Sequence, residues 1–165
     1  MAIHKNIPLM LQESLPEMLL VAKYCIEFDE KKVPPWPALG CYGYPATLLL
    51  LSVADSIGSY IEKGNVENHF KILNSADYYG LNLSTNGLKI IYDNYRNLLS
   101  HNTVMATNVG LNTGSIDSPV LQNNNGFYLL NLVPFYNKSV TAVNFFLSNP
   151  AVLKNNQTIE NIYKK

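Results

Sequence analysis

An excess of charge of either sign is missing from this chain. Its 165 residues carry twelve lysines and arginines against twelve aspartates and glutamates, a formal net charge of zero. No global field therefore draws it to nucleic acid or to an anionic membrane, and any polyanion must be held locally. Cysteine is scarce as well. Cys25 and Cys41 stand sixteen positions apart, with no close pair and no second cluster to complete a zinc tetrahedron, so both read as buried free thiols. No metal or other cofactor is expected. Long apolar runs are absent too: Leu48-Leu49-Leu50-Leu51 is broken by Ser52 and Asp55, well short of the length that spans a bilayer. Glu13, Pro16 and Glu17 interrupt the stretch from Ile7 to Ala22 where a signal peptide would keep an unbroken apolar centre. A cytoplasmic protein with no membrane association is expected. Internal repeats and low-complexity tracts are also lacking.

What is present suits one mainly helical domain over 1–165: 47% of the residues are hydrophobic and 15% charged, enough to bury an ordinary core. Residues 1–44 read as an N-terminal helix and a proline-rich loop, 45–148 as the bundle core and 149–165 as a polar tail. Leu11, Leu15, Met18, Leu19, Ala22 and Ile26 recur at helical spacing over 9–27, with Pro16 placed near the helix start. Prolines 34, 35, 37 and 45 stiffen the crossing that follows, and Trp36 is expected to pin it to the domain. A second helix is predicted from Pro45 to Lys63, with Gly64 as its stop and a polar stripe at Ser52, Asp55, Ser56, Ser59 and Glu62. A shorter helix over 66–74 and a turn at Ser75-Ala76-Asp77 to Gly80 come next. Ser84 then caps a helix through Leu88, Ile91, Tyr92, Tyr95, Leu98 and Leu99 that ends near His101. Residues 104–118 have the composition of a loop. Asn125-Gly126 between apolar runs signals a hairpin, and a last helix is expected from Pro134 to Leu147. The whole reads as a bundle of four to five helices with a small C-terminal β-hairpin.

The helix over 84–101 carries the chemistry. On an ideal wheel, with Tyr95 at the centre of the apolar face, Leu88, Ile91, Leu98 and Leu99 lie within about 60° of it. Asp93, Asn97 and Ser100 take the opposite side, flanked by Arg96 and His101 about 140° apart. Arg96 is the only arginine in a chain with eleven lysines. A planar fork of five donors holds two oxygens of one phosphate as no lysine can, and histidine is the side chain that exchanges a proton near neutrality. Both heads can converge on one phosphate, because arginine is long and His101 sits where the helix ends.

Arg96-Asn97-Leu98-Leu99-Ser100-His101 resembles the motif of the HEPN domain (higher eukaryotes and prokaryotes nucleotide-binding): arginine, four to six residues, histidine, with a polar residue, often asparagine, after the arginine. In helix order the resemblance covers roughly 45–148, although only the six-residue motif is specific. It implies a metal-independent endoribonuclease in which His101 serves as general base or acid for attack of a ribose 2′-hydroxyl on the adjacent phosphate, leaving a 2′,3′-cyclic phosphate. Arg96 would stabilise charge on the phosphorane, and Asn97 would orient the phosphate or His101. The partners it implies are an RNA substrate and a second copy of the chain, a homodimer with a composite active site, and an antitoxin where such proteins act in toxin or antiviral-defence roles. Asp55 resembles the acidic residue some members place opposite the motif, and Asp93 is placed to hold the Arg96 guanidinium. Some members carry tyrosine two positions after the histidine for nucleotide transfer; Thr103 stands there and disfavours that chemistry.

Plainer readings compete with each of these. Arg96 can be a surface partner of Asp93 and His101 a cap on the last turn of its helix, which would leave a non-catalytic binding or sensor module with a phosphate or nucleotide pocket, or a purely structural interaction protein. His4 and His69 read as solvated. Ile90, on the His101 side of the wheel, is expected under an adjoining helix or at a dimer interface. Tyr78, Tyr79 and Tyr92 read as core before they read as base-stacking surfaces.

Overall fold

The computed structural model describes residues 7–28, 42–62, 64–113, 117–122 and 126–149. The crossing at 29–41 with Trp36 and Cys41, the polar tail from 150, and His4 lie outside the described residues. About two-thirds of the described residues are helical, with one small three-stranded sheet.

Helix α2 (Gly43–Ile61) is the central element and packs on α1 (Ile7–Glu27), α3 (Val66–His69) and α6 (Leu132–Leu147). Its Ala46, Leu50, Leu51, Val53, Ala54 and Ile57 are fully buried, so a broad apolar face of about 160° is turned into the core. The polar stripe at Ser52, Asp55, Ser56 and Ser59 is half-buried, which makes it an internal seam instead of a solvent face. The helix ends at Ile61, two residues before the predicted end at Lys63; Glu62 is already extended and Gly64 follows with φ +119°. Pro45 occupies the first turn, where its missing N–H costs nothing. Pro16 lies deeper than expected, because α1 begins at Ile7 and the proline falls inside it, removing one backbone bond.

Asn65 caps α3, its Oδ1 accepting the Asn68 N–H at 3.1 Å. Only Val66–His69 is α-helical, and the chain tightens into a 3₁₀ turn over Phe70–Asn74 that drives Phe70, Ile72 and Leu73 into the core. The Asn74 side chain then clamps the return, donating to the Leu83 carbonyl at 2.7 Å and accepting its N–H at 2.6 Å. Ser84 caps the next helix as its sequence suggests, its Oγ accepting the Gly87 N–H at 3.0 Å.

That helix is not regular. It runs as α4 (Thr85–Ile90), a π-helical segment (Ile91–Asn97) and α5 (Leu98–Asn102), ended by Thr103 at φ 57°. Each π turn takes more residues than an α turn, so an ideal wheel fails across Ile91–Asn97. Two contacts hold the wide segment against the chain that follows. The Ala106 N–H donates to the Asn94 carbonyl at 3.2 Å, and the Asn94 side chain donates to Asn108 Oδ1 at 3.2 Å.

The region predicted as loop contains a strand, β1 (Val109–Asn112), which pairs in parallel with β3 (Tyr128–Asn131); β2 (Val120–Gln122) pairs with β3 antiparallel, giving the order β1-β3-β2. The expected hairpin is β2–β3, with Gly126 at φ +74° in its turn. Buried Asn131 secures the sheet to the start of α6: its Oδ1 accepts from Asn112 at 2.8 Å and its Nδ2 donates to the Ser118 carbonyl. Tyr95 joins the π segment to the sheet, its buried hydroxyl 3.0 Å from the carbonyls of both Gly110 and Tyr128. Helix α6 then closes the core with Phe135, Ala142, Val143 and Phe146. No described helix is long and apolar enough to cross a membrane.

Candidate functional site

The wide turn presents Arg96 to the polar seam of α2, where Asp55 meets it: Nη2 donates to Oδ2 at 2.9 Å. The other oxygen of the same carboxylate is also taken, since His69 Nδ1 lies 2.8 Å from Asp55 Oδ1. One carboxylate thus bridges a guanidinium and an imidazole from two further elements. The side chains of His69, Asp55 and Arg96 are 16, 18 and 23% exposed, so the cluster is shielded but not sealed. At that depth an ion pair is worth more than an exposed one and is still accessible to a polar ligand. A carboxylate oxygen paired with a guanidinium accepts only, so Nδ1 of His69 carries the hydrogen of its bond.

Gly58 makes this meeting of elements possible. It lies one turn beyond Asp55 on α2, and a Cβ built there would fall 2.1 Å from the His69 carbonyl oxygen and 2.7 Å from its carbon. The absent side chain lets the end of α3 rest on the α2 backbone, and that approach delivers the His69 ring to Asp55. His69 was expected in solvent. The reason for the difference is this backbone approach, for which a glycine in mid-helix is the one signal in the sequence.

The other candidates distribute around Arg96. Asp93 does not hold the guanidinium; it pairs with Lys89 at 3.3 Å, one turn back along the chain. The hydrogen bond and charge of Asp93 raise the Lys89 pKa above its ordinary value. Lys89 is exposed and Asp93 partly so, an i,i+4 pair along one helical run. Asn97 is half-buried and its backbone carbonyl accepts the Ser100 hydroxyl at 3.1 Å. His101 is exposed in the last turn of α5. The structure therefore brings Asp55, His69 and Arg96 together, and places His101 at the open end of the same helical run. Ile90 and Tyr92 are partly buried against the core, and Tyr78 and Tyr79 are buried within it. The tyrosines are packing residues.

Among the described residues no three His, Cys, Asp or Glu side chains are grouped to hold a metal ion. A cleft of about 470 Å³ opens elsewhere, between the 76–78 turn, Asp117, Pro119 and the first half of α6. None of Asp55, His69, Arg96 and His101 lines it. Compared with known protein families, curated proteins and solved structures, the chain finds no match.

Proposed function

We propose that the chain is a metal-independent endoribonuclease of HEPN type, working as a homodimer on RNA in the cytoplasm. The observation that carries this reading is the Asp55–Arg96 ion pair. Some members of the family that the motif resembles place an acidic residue opposite it, and the meeting of Asp55 of α2 with Arg96 supports that reading. The carboxylate steadies a guanidinium whose remaining donors can take a phosphate oxygen.

In this reading the ribose 2′-oxygen attacks the adjacent phosphorus, its proton passing to a histidine base. A bond from the 2′-oxygen to phosphorus forms, the bond to the 5′-oxygen breaks, and the leaving oxygen receives a proton from a histidine acid. Arg96 offsets the charge that builds on the non-bridging oxygens between these steps. The motif of one chain has one exposed histidine, so two chains supplying His101 to a composite cleft provide base and acid together. Zero net charge favours recognition of a particular RNA feature over tight indiscriminate binding. A toxin or defence role, and an antitoxin that restrains it, accord with this activity.

A second reading has its own observation. Arg96 is engaged inward by Asp55 while His101 is exposed, an arrangement that also suits a non-catalytic phosphate or nucleotide sensor. Incubating the purified protein with a mixed RNA pool in EDTA, beside Arg96→Ala and His101→Ala, separates the two. The ribonuclease yields fragments with 2′,3′-cyclic phosphate ends that both substitutions abolish; a folded dimer that cleaves nothing supports the sensor.

A further inference from the structure

We propose that His69 is the positioning residue of Arg96, acting through Asp55, and that the phosphate-binding state of the site is a three-residue unit instead of a motif on one helix. This rests on the phosphate-site reading above and extends it to a residue outside the motif. The argument is geometric. A carboxylate holding only one partner rotates about its Cβ–Cγ bond and can offer either oxygen. Asp55 cannot, because His69 Nδ1 takes Oδ1 at 2.8 Å and leaves Oδ2 as the oxygen that meets Arg96 at 2.9 Å.

The imidazole is itself fixed. It belongs to a residue whose carbonyl lies against Gly58 of α2, where even a methyl group would not fit, and the Asn65 cap sets the start of its helix. Rigidity therefore passes from the α2–α3 contact to His69, from His69 to Asp55 and from Asp55 to the guanidinium. Site groups work when their supports are locked in this way. Contact with Asp55 uses the Nη2 end of Arg96, so the orientation imposed on that end sets where the rest of the planar fork points. His69 touches Arg96 through nothing but Asp55 in this scheme, and it is not assigned a proton transfer.

The chain has a single arginine, so its guanidinium nitrogen signals in an ¹⁵N spectrum report this site alone. Slow rotation about Nε–Cζ, imposed by the ion pair, keeps the Nη signals distinct. His69→Ala is expected to merge or broaden them, whereas His69→Asn is expected to restore them, because the asparagine amide nitrogen stands the same number of bonds from Cβ as Nδ1. Cleavage of RNA should follow the same order, with a loss of roughly tenfold in His69→Ala, expressed in kcat more than in KM and regained in His69→Asn. Unchanged Arg96 signals in folded His69→Ala overturn the proposal, as does equal loss in both variants. If wild-type protein cleaves no RNA, the ribonuclease reading fails and the Arg96 signals still decide the role of His69.

Discussion

Replacing Gly58 by alanine tests the architecture at its tightest point. On an open helix face this change stabilises by up to about 1 kcal/mol, since alanine is the better helix former. Here the new Cβ would sit 2.1 Å from the His69 carbonyl oxygen and 2.9 Å from His69 Cα. A comfortable carbon–oxygen contact is about 3.3 Å, so α3 must retreat by about 1.2 Å. The obstacle is backbone, which cannot swing aside as a side-chain tip would. Overpacking of this kind costs about 3 kcal/mol at the upper end of its usual range, leaving a net destabilisation of about 2 kcal/mol after the propensity gain. The same retreat would open the 2.8 Å His69–Asp55 contact beyond hydrogen-bond reach. Urea unfolding followed by circular dichroism measures the first effect, and the midpoint should fall with little change in slope. A midpoint equal to or above wild type would refute the close approach and with it the account of why His69 reaches the site.

Tyr95→Phe removes the hydroxyl that ties the π segment to Gly110 and Tyr128 and should cost about 1 kcal/mol in the same assay. Tyr79→Phe should be neutral or stabilising, because the Tyr79 hydroxyl is buried without a sound hydrogen bond while neighbouring Ser139 commits its own proton to the Phe135 carbonyl at 3.0 Å. Burial raises the pKa of both phenols above the ordinary tyrosine value, so the folded state holds these protons more tightly than the unfolded chain. Their contribution is complete below the unfolded value of about 10 and is lost as pH climbs through the folded values. Thermal melts should therefore be insensitive to these groups at neutral pH and fall above about pH 10, less steeply in Tyr95→Phe. Asp55→Ala strands a half-buried guanidinium and should merge the Arg96 signals, whereas Asp93→Ala should change stability by no more than about 0.5 kcal/mol and leave those signals intact.

Much of this organisation is legible in the sequence because local chemistry and tertiary packing agree. Helical spacing over 9–27, the Ser84 cap, the Asn-Gly hairpin and the run from Pro134 into Leu147 each carry their own signal, and Tyr95, Ile91 and Leu99 are buried as their apolar spacing suggests even though the π segment displaces the ideal wheel. Strand β1 escapes notice because Val109–Asn112 has a glycine and two polar neighbours and gains its order from parallel pairing with a segment about twenty residues away. The π segment escapes for a related reason: no proline or glycine marks Ile91–Asn97, and the contacts of Asn94 that accompany it come from 106 and 108. In the site, Arg96 and Asp55 stand out by type and by helix position. His69 does not, since the residue that brings it in is a glycine eleven positions earlier on another helix.

The central claim is that Arg96 and His101 serve one phosphate. Titrating the protein with a short RNA whose 2′-hydroxyl at the scissile position is replaced by hydrogen, which binds but cannot react, and following the Arg96 guanidinium and His101 ring signals together, tests it most directly. The account predicts that both move with the same saturation curve and that His4 stays where it was. Movement of one without the other, or of neither at saturating RNA, would contradict it.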